Sequence, residues 1–186
     1  MGKECRHVAL LRGINVGRAK RVAMADLRAM VEAIGYRDVR TLLNSGNVVY
    51  SAGRAAPDKA AARIEKGLAT ELGVSARVTV LTSGEIAAAV IDNPLLDVAD
   101  NPSRLFVAVL ADPADRRLLR PLMRQDWTPE AFAIGARVAY LWCPDGMIAS
   151  PLSEAVGRLL GTGVTTRNWA TMTKLHALVQ EGQTGD

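Results

Sequence analysis

The sequence has few of the residues that commonly bind metals or cross-link a fold. It contains two cysteines and two histidines in 186 residues. Cys5 and Cys143 lie far apart in the chain, which predicts two free thiols rather than a disulfide. A structural zinc site needs four closely placed Cys or His ligands, and Cys5 and His7 supply only two. We therefore predict no metal site and no cofactor.

Long apolar segments are also missing. No stretch approaches the roughly 18 consecutive apolar residues that a membrane-spanning helix needs. The N-terminus is basic but carries only a short apolar run, unlike a secretory signal. With 49% hydrophobic and 23% charged residues, the composition is that of an ordinary globular protein and excludes a disordered chain or a fibre. We expect a cytoplasmic protein without membrane attachment.

The hydrophobic pattern of the first 82 residues predicts a β-α-β-β-α-β unit. A short apolar run over 6–11 predicts a buried strand, and apolar residues three and four positions apart over 24–34 predict a helix. Turn-forming residues at 44–47 separate two strand-like runs, which is typical of a hairpin. Pro57 begins a second helix, and an alternating segment after it predicts a last strand. This order is that of the ferredoxin-like split βαβ unit.

The second half repeats most of this order. Residues 83–103 are predicted as a connecting helix and linker. Residues 104–186 then follow the order β-α-β-β-α, with helices that begin at Pro113 and Pro151. At the sixth position a Thr-rich stretch leads into a final helix, so we expect the last strand to be replaced there. The predicted fold class is α+β: tandem ferredoxin-like units with antiparallel sheets, 1–82 and 104–186, the second altered at its C-terminal end.

The charge is uneven along the chain. Residues 1–82 contain 14 Lys and Arg against 7 Asp and Glu, whereas residues 83–186 contain 9 against 12. A basic excess confined to one half favours an anionic partner for that half. A basic solvated surface explains the same numbers, and both interpretations stay open.

Two polar loops of the first half are predicted to meet at one end of its sheet. In a βαββαβ unit the first and third strands are antiparallel neighbours, so the loop after strand one lies beside the hairpin turn. Glycines let backbone N–H groups approach an anion, and arginine binds phosphate or carboxylate through two parallel bonds. The ligand-binding residues predicted here are Arg12, Gly13, Asn15, Gly17, Arg18, Asn44, Ser45 and Asn47.

The competing interpretation of these loops is turn structure alone. The first loop is neither a Walker motif nor a dinucleotide fingerprint. Glycine and asparagine are also common in loops because of their backbone angles. The equivalent segments of the second half, LADPAD and IGAR, carry fewer polar groups, which favours a site in the first half.

A second candidate is the segment that precedes the last helix. Thr166 or Asn168 can cap that helix. Capping does not explain Arg167, because a positive charge is unfavourable beside a helix N-terminus unless an acid or a ligand neutralises it. Lys174 follows about two turns further on. We predict that Arg167, Asn168 and Lys174 contribute to ligand binding, and that Arg167 and Lys174 close the first-half site if the helix folds back.

No catalytic constellation is evident in the sequence. His7 and His176 are not tied to a nucleophile by any spacing rule, and Ser45 lacks the G-x-S-x-G context of a nucleophile elbow. Whether the chain is an enzyme, and its oligomeric state, therefore stay open.

A small anionic or phosphorylated ligand is the predicted partner, and two alternatives remain. A nucleic-acid-binding module would contact the phosphate backbone, with a log–log salt slope of about −0.7 per contact on single strands. Base stacking is not expected, because aromatic residues are only 4% of the chain and the predicted first and third strands carry only Tyr50. A protein-interaction scaffold would instead expose an apolar patch.

Several motifs resemble a bacterial family known as domain-of-unknown-function family 1697. They are LLRGINVG, the helix MADLRAMVEAIGYRDVRTLL, the hairpin NSGNVVYS and the C-terminal TTRNWATMTKL. The resemblance implies two ferredoxin-like units in tandem. It implies no particular activity, because none is assigned to the family. It departs at Gly17-Arg18, where the family usually has two glycines, and at Asn44, where it often has glutamine. The characteristic positions are Arg12, Gly13, Asn15, Gly17, Ser45, Gly46, Asn47, Arg167, Asn168, Trp169 and Lys174.

Overall fold

The chain forms two compact units in this computed structural model, which describes residues 5–17, 21–53 and 55–181. Unit 1 comprises Met1–Ile86 together with Leu175–Asp186, and unit 2 comprises Ala87–Lys174. The first division falls inside the predicted connecting segment 83–103. The second falls within the last helix, so the end of the chain belongs with the first unit.

Unit 1 contains the predicted order of strands and helices. Its sheet has the strand order β2-β3-β1-β4, and each neighbouring pair is antiparallel. The predicted antiparallel pairing of the first and third strands is therefore confirmed. The elements are β1 (Arg6–Leu11), α1 (Met24–Ala33), β2 (Arg37–Leu42), β3 (Asn47–Ser51), α2 (Pro57–Glu71) and β4 (Val78–Thr82).

The core of unit 1 lies between its sheet and the helices α1 and α2. Leu27 of α1 and Ile64 and Leu68 of α2 are fully buried, at spacings that put them on the inner helix faces. They pack with alternate strand residues such as Leu11 and Val48. This packing holds the ends of β1 and β3 in a rigid frame, and the candidate site is built on those ends.

His7 and Tyr50 are buried side chains of unit 1 that carry polar atoms. His7 is paired with Tyr50 across β1 and β3, and their ring centroids lie 5.9 Å apart at a steep angle. Among the described residues, neither His7 Nδ1 nor the Tyr50 hydroxyl has a hydrogen-bond partner. Burial lowers the pKa of His7, partly opposed by the charge of Glu85. His7 therefore costs free energy when it is protonated in the folded chain.

We expect the stability of the protein to fall in mild acid because of His7. The folded-state pKa is lowered, so the unfolded chain takes up the proton first as the pH drops below about 6.5, whereas above about pH 7 this contribution is constant. Urea unfolding between about pH 5.5 and 8 measures the slope. His7→Gln should flatten it and His176→Gln should not. Equal slopes in all three proteins would contradict this role.

Unit 2 has a sheet of the same strand order, β6-β7-β5-β8, again with antiparallel neighbours. Short 3-10 turns flank its helix over Arg116–Leu119. Two helices, the third and the last, contribute residues to both units. The remaining elements are α3 (Ser83–Ile91), β5 (Leu105–Leu110), α4 (Arg116–Leu119), β6 (Ala131–Ile134), β7 (Val138–Trp142), α5 (Pro151–Leu160), β8 (Val164–Asn168) and α6 (Trp169–Glu181).

The expectation that the second half lacks its sixth strand is wrong. The Thr-rich segment forms β8, which pairs with β5 from Leu110 opposite Val164 to Phe106 opposite Asn168. Threonine is β-branched and favours strands. The backbone groups of β8 form hydrogen bonds with β5, which lies more than fifty residues earlier in the chain. The local sequence pattern does not reveal this pairing partner. The last helix, α6, is an addition after this strand.

The helix predicted to begin at Pro113 is interrupted. It consists of a 3-10 turn, the four-residue α4 and a second 3-10 segment over Arg120–Arg124. Pro121 explains the break, because proline has no N–H and its ring clashes with the carbonyl four residues earlier. Leu119 and Leu122 are still buried, whereas Met123 is 54% exposed.

The described part of the chain contains no helix that is long and apolar enough to span a membrane. The cytoplasmic location stays a prediction. Cys5 and Cys143 are both free thiols, the first exposed and the second buried.

Candidate functional site

The loop after β1 and the turn between β2 and β3 lie together at one end of the unit 1 sheet. Leu10 is opposite Asn47 in the β1–β3 ladder, and the Leu11 N–H donates to the Gly46 carbonyl over 2.8 Å. The loop comprises residues 12–17 and the turn residues 43–46, and we call the two together the strand-end loops. The predicted meeting of these segments is confirmed.

Asn15 joins the two strand-end loops through its side chain. Its Nδ2 donates to the Val22 and Asn44 carbonyl oxygens, each over 2.9 Å, and its Oδ1 accepts from the Val22 N–H over 2.7 Å. An amide has two N–H donors, and both are used here. Any contact of Asn15 with a ligand is left to the remaining lone pair of Oδ1. Its main contribution is to hold the loop closed against the turn.

Asn47 has a comparable structural role within the hairpin. It is fully buried, and its Nδ2 donates to the Leu42 carbonyl over 2.8 Å and to Ser45 Oγ over 2.9 Å. These bonds span the turn and fix its shape. Ser45 is half-buried and Asn44 is exposed, so those two side chains are the accessible polar groups of the turn.

The backbone of the first loop is open to solvent. Gly13, Asn15 and Gly17 have φ values of 72°, 56° and 55°, the left-handed region that favours glycine and asparagine. A Cβ atom at Gly13 or Gly17 would meet nothing within 4 Å, so these glycines are needed for their backbone angles rather than for close packing. A ligand can therefore approach the loop backbone directly.

Two arginines border this backbone. Arg12 is exposed, and its backbone N–H donates to the Arg77 carbonyl over 2.8 Å. Arg21 is also exposed, and its Nη1 donates to the Asn15 carbonyl over 2.7 Å, which turns its charge toward the loop. Arg18, the other predicted cation of the site, lies outside the described residues.

A cleft of about 460 Å³ adjoins Arg12. Its walls are Arg12, Glu65, Ser75, Ala76 and Arg77. Sequence reasoning missed Glu65, Ser75 and Arg77. A signal for Arg77 was present, since the predicted order of strands puts the start of β4 beside the end of β1. Glu65 comes from α2, and only the packed structure brings it to this cleft.

The residues predicted near the last helix belong to unit 2. Asn168 caps α6, because its Oδ1 accepts from the Thr171 N–H over 2.9 Å and from the Thr171 hydroxyl over 2.7 Å. Arg167 is a strand residue of β8 opposite Val107, and its Nη1 donates to the Thr166 carbonyl. Burial lowers the pKa of Arg167 to about 10, which leaves it charged at neutral pH. Lys174 is exposed on α6.

The sheet of unit 1 offers no aromatic platform for stacking bases. Tyr50 is fully buried and packs against Tyr36, with ring centroids 4.5 Å apart. Stacking recognition of RNA needs exposed rings on the central strands. Within the described ranges there is also no group of three or more His, Cys, Asp or Glu side chains that could hold a metal ion.

These features define an α+β protein of two compact units, each with a four-stranded antiparallel sheet. The chain belongs to the family described as protein of unknown function (DUF1697), whose model matches residues 5–140. The family resemblance found in the sequence is thus confirmed for residues 5–140. The match ends before the C-terminal motif, where the resemblance stays a prediction.

A solved structure with a similar fold is known. It is the conserved bacterial protein SP0830 from Streptococcus pneumoniae, with a TM-score of 0.76 and 19% sequence identity over 95% of this chain and 98% of that chain. At this identity the likeness concerns the fold alone. No curated protein matches the sequence.

Proposed function

We propose that the protein binds a small anionic or phosphorylated ligand at the strand-end loops of unit 1. The observation that carries this proposal is the loop of residues 12–17, whose exposed left-handed backbone is held against the turn by Asn15. Backbone of this kind presents N–H groups to anions. The ligand-facing groups in this proposal are Arg12, the loop backbone, Asn44 and Ser45.

Charge supports the proposal. Arg12 and Arg21 border the loop, and residues 1–82 carry the basic excess of the chain. An exposed guanidinium can bind phosphate through two parallel N–H bonds at low cost, because its planar fork is preorganised. In this proposal Arg12 supplies the charge-assisted bonds, while Arg21 stabilises the loop through the Asn15 carbonyl.

We further infer that both units are ferredoxin-like and arose by duplication. The two sheets have the same strand order, with the third strand of each unit between its first and second strands and the fourth at the other edge. In this view the second unit kept the frame and lost the polar loops. Arg167, Asn168 and Lys174 remain proposed contributors to ligand binding.

Replacing Arg12 with glutamine is expected to weaken binding of inorganic phosphate about tenfold or more, because charge-assisted bonds contribute about 1.5–3 kcal/mol. The dissociation constant can be measured by calorimetry at low salt. Arg28→Gln is the matched control: it removes the same charge from α1, where Arg28 pairs with Glu32 over 2.9 Å. Equal effects of the two substitutions on the dissociation constant would show that phosphate responds only to the overall surface charge. Unchanged binding in Arg12→Gln would overturn the assignment.

A further inference from the structure

The cleft beside the strand-end loops has a composition that a simple anion site does not need. Arg12 and Arg77 come from the adjoining ends of β1 and β4, where the Arg12 N–H bonds the Arg77 carbonyl. Glu65 and Ser75 complete the polar wall. Two cations, one carboxylate and one hydroxyl therefore share a single cavity.

Glu65 is positioned by the fold. Its Oε1 accepts from the backbone N–H of Val78 over 2.8 Å, which ties α2 to the start of β4. The carboxylate has a second oxygen, and that oxygen can accept from a ligand hydroxyl. A hydroxyl that donates to a carboxylate forms a charge-assisted bond, roughly twice as strong as a neutral one.

The same carboxylate disfavours a bare phosphate. Two negative charges in one cavity repel each other, so Glu65 weakens the attraction of the two arginines for an ion such as inorganic phosphate. The penalty is offset when the ligand also brings hydroxyl donors. The combination selects a ligand with a negative group at one end and hydroxyl groups at the other.

We propose that this cleft binds the hydroxylated part of a sugar phosphate, whose phosphate is held by Arg12 and Arg77 and whose hydroxyls donate to Glu65 and Ser75. This inference rests on the proposed anion site at the strand-end loops, with which the cleft shares Arg12. A cavity of about 460 Å³ lies in the size range of small-molecule sites and leaves room for a sugar beside the phosphate.

A nucleotide base finds no aromatic side chain among the described residues that line this cleft. None of the five lining residues has an aromatic ring. Bases gain affinity by stacking on such rings, and that gain is missing here. The geometry thus favours the sugar phosphate itself over a nucleotide, in which the base would add nothing to affinity.

The test compares three probes by calorimetry: inorganic phosphate, ribose 5-phosphate and adenosine monophosphate. Ribose 5-phosphate is expected to bind about fivefold or more tightly than phosphate, because it adds a charge-assisted bond, and the nucleotide should bind no tighter than ribose 5-phosphate. Glu65→Gln keeps an oxygen for the Val78 N–H. It should strengthen binding of inorganic phosphate and reduce the preference for ribose 5-phosphate.

Control variants separate this inference from the anion site. Glu32→Gln removes the same charge from the exposed pair on α1 and should preserve the preference. Ser75→Ala, at an exposed position, removes the other hydroxyl partner and should weaken the binding of ribose 5-phosphate. Three results would overturn the sugar-phosphate assignment alone: phosphate binding without a preference, an undiminished preference in Glu65→Gln, or clearly tighter binding of the nucleotide. No binding of any probe would overturn the anion site as well.

Discussion

Replacing Gly46 with alanine is expected to destabilise the protein by about 3 kcal/mol and to abolish phosphate binding. Gly46 has a φ of 77°, which a residue with a side chain adopts at a cost. A Cβ atom there would also lie 2.7 Å from Leu11 Cβ and 2.7 Å from Ile14 Cδ1. Leu11 Cβ is fixed by strand β1, so the turn would have to move away from the loop.

Gly53→Ala provides the matched control for this prediction. Gly53 has a φ of 58°, but a Cβ atom there would meet nothing within 4 Å. Its substitution should therefore cost about 1 kcal/mol, the backbone contribution alone, and should preserve phosphate binding. Urea unfolding measures both variants. If Gly46→Ala were no more destabilising than Gly53→Ala, the tight contact between the loop and the turn would be contradicted.

Replacing Asn15 with alanine should cost about 3 kcal/mol of unfolding free energy. The change removes three hydrogen bonds, leaves the N–H and carbonyl groups of the buried Val22 without this partner, and puts alanine at a φ of 56°. The loop would then lose its connection to the turn. Phosphate binding should weaken with it, because the backbone N–H groups are no longer preorganised.

Asn44→Ala separates these effects from a general loss of polar groups in the turn. Asn44 receives the Asn15 bond through its backbone carbonyl, which alanine keeps. We expect a change in stability below about 0.5 kcal/mol, as for most surface substitutions. Urea unfolding of both variants provides the measurement. A similar loss of unfolding free energy in Asn15→Ala and Asn44→Ala would show that Asn15 does not join the loops in solution.

These two predictions share one consequence for the site. In the proposed site, Asn15 and Gly46 affect ligand binding through the backbone that they position, whereas Arg12 contacts the ligand directly. Loss of Arg12 should therefore weaken binding with little change in stability. The change in phosphate affinity relative to the change in unfolding free energy distinguishes a residue that positions the backbone from one that contacts the ligand.

Much of the fold could be predicted from local patterns. The strand Arg6–Leu11, the amphipathic helix α1 and the hairpin around 44–47 were all evident, because each is specified by periodicity and by turn-forming residues within a short window. The N-terminal cap of α5 was evident for the same reason. Ser150 accepts from the Ser153 N–H, as its position before Pro151 predicts.

Two features that sequence reasoning missed, the strand β8 and the position of Glu65, depend on distant partners. β8 has a polar sequence and becomes a strand because its backbone groups pair with β5. The break in the helix after Pro113 had a local cause, Pro121, and could have been predicted. Glu65 joins the cleft because α2 packs on the sheet, which the helical pattern indicates without specifying the residue that faces Arg12.

The sequence by itself determined the order of strands and helices in unit 1 and the family to which the chain belongs. It also located the two loops that meet, because the pairing of neighbouring strands follows from that order. Only the tertiary structure decided what each polar side chain does there. Asn15 and Asn47 were candidates to orient a ligand, and their donors are used within the chain. The physical reason is that a hydrogen-bonding side chain takes the nearest unsatisfied backbone group, and folding determines which groups are near.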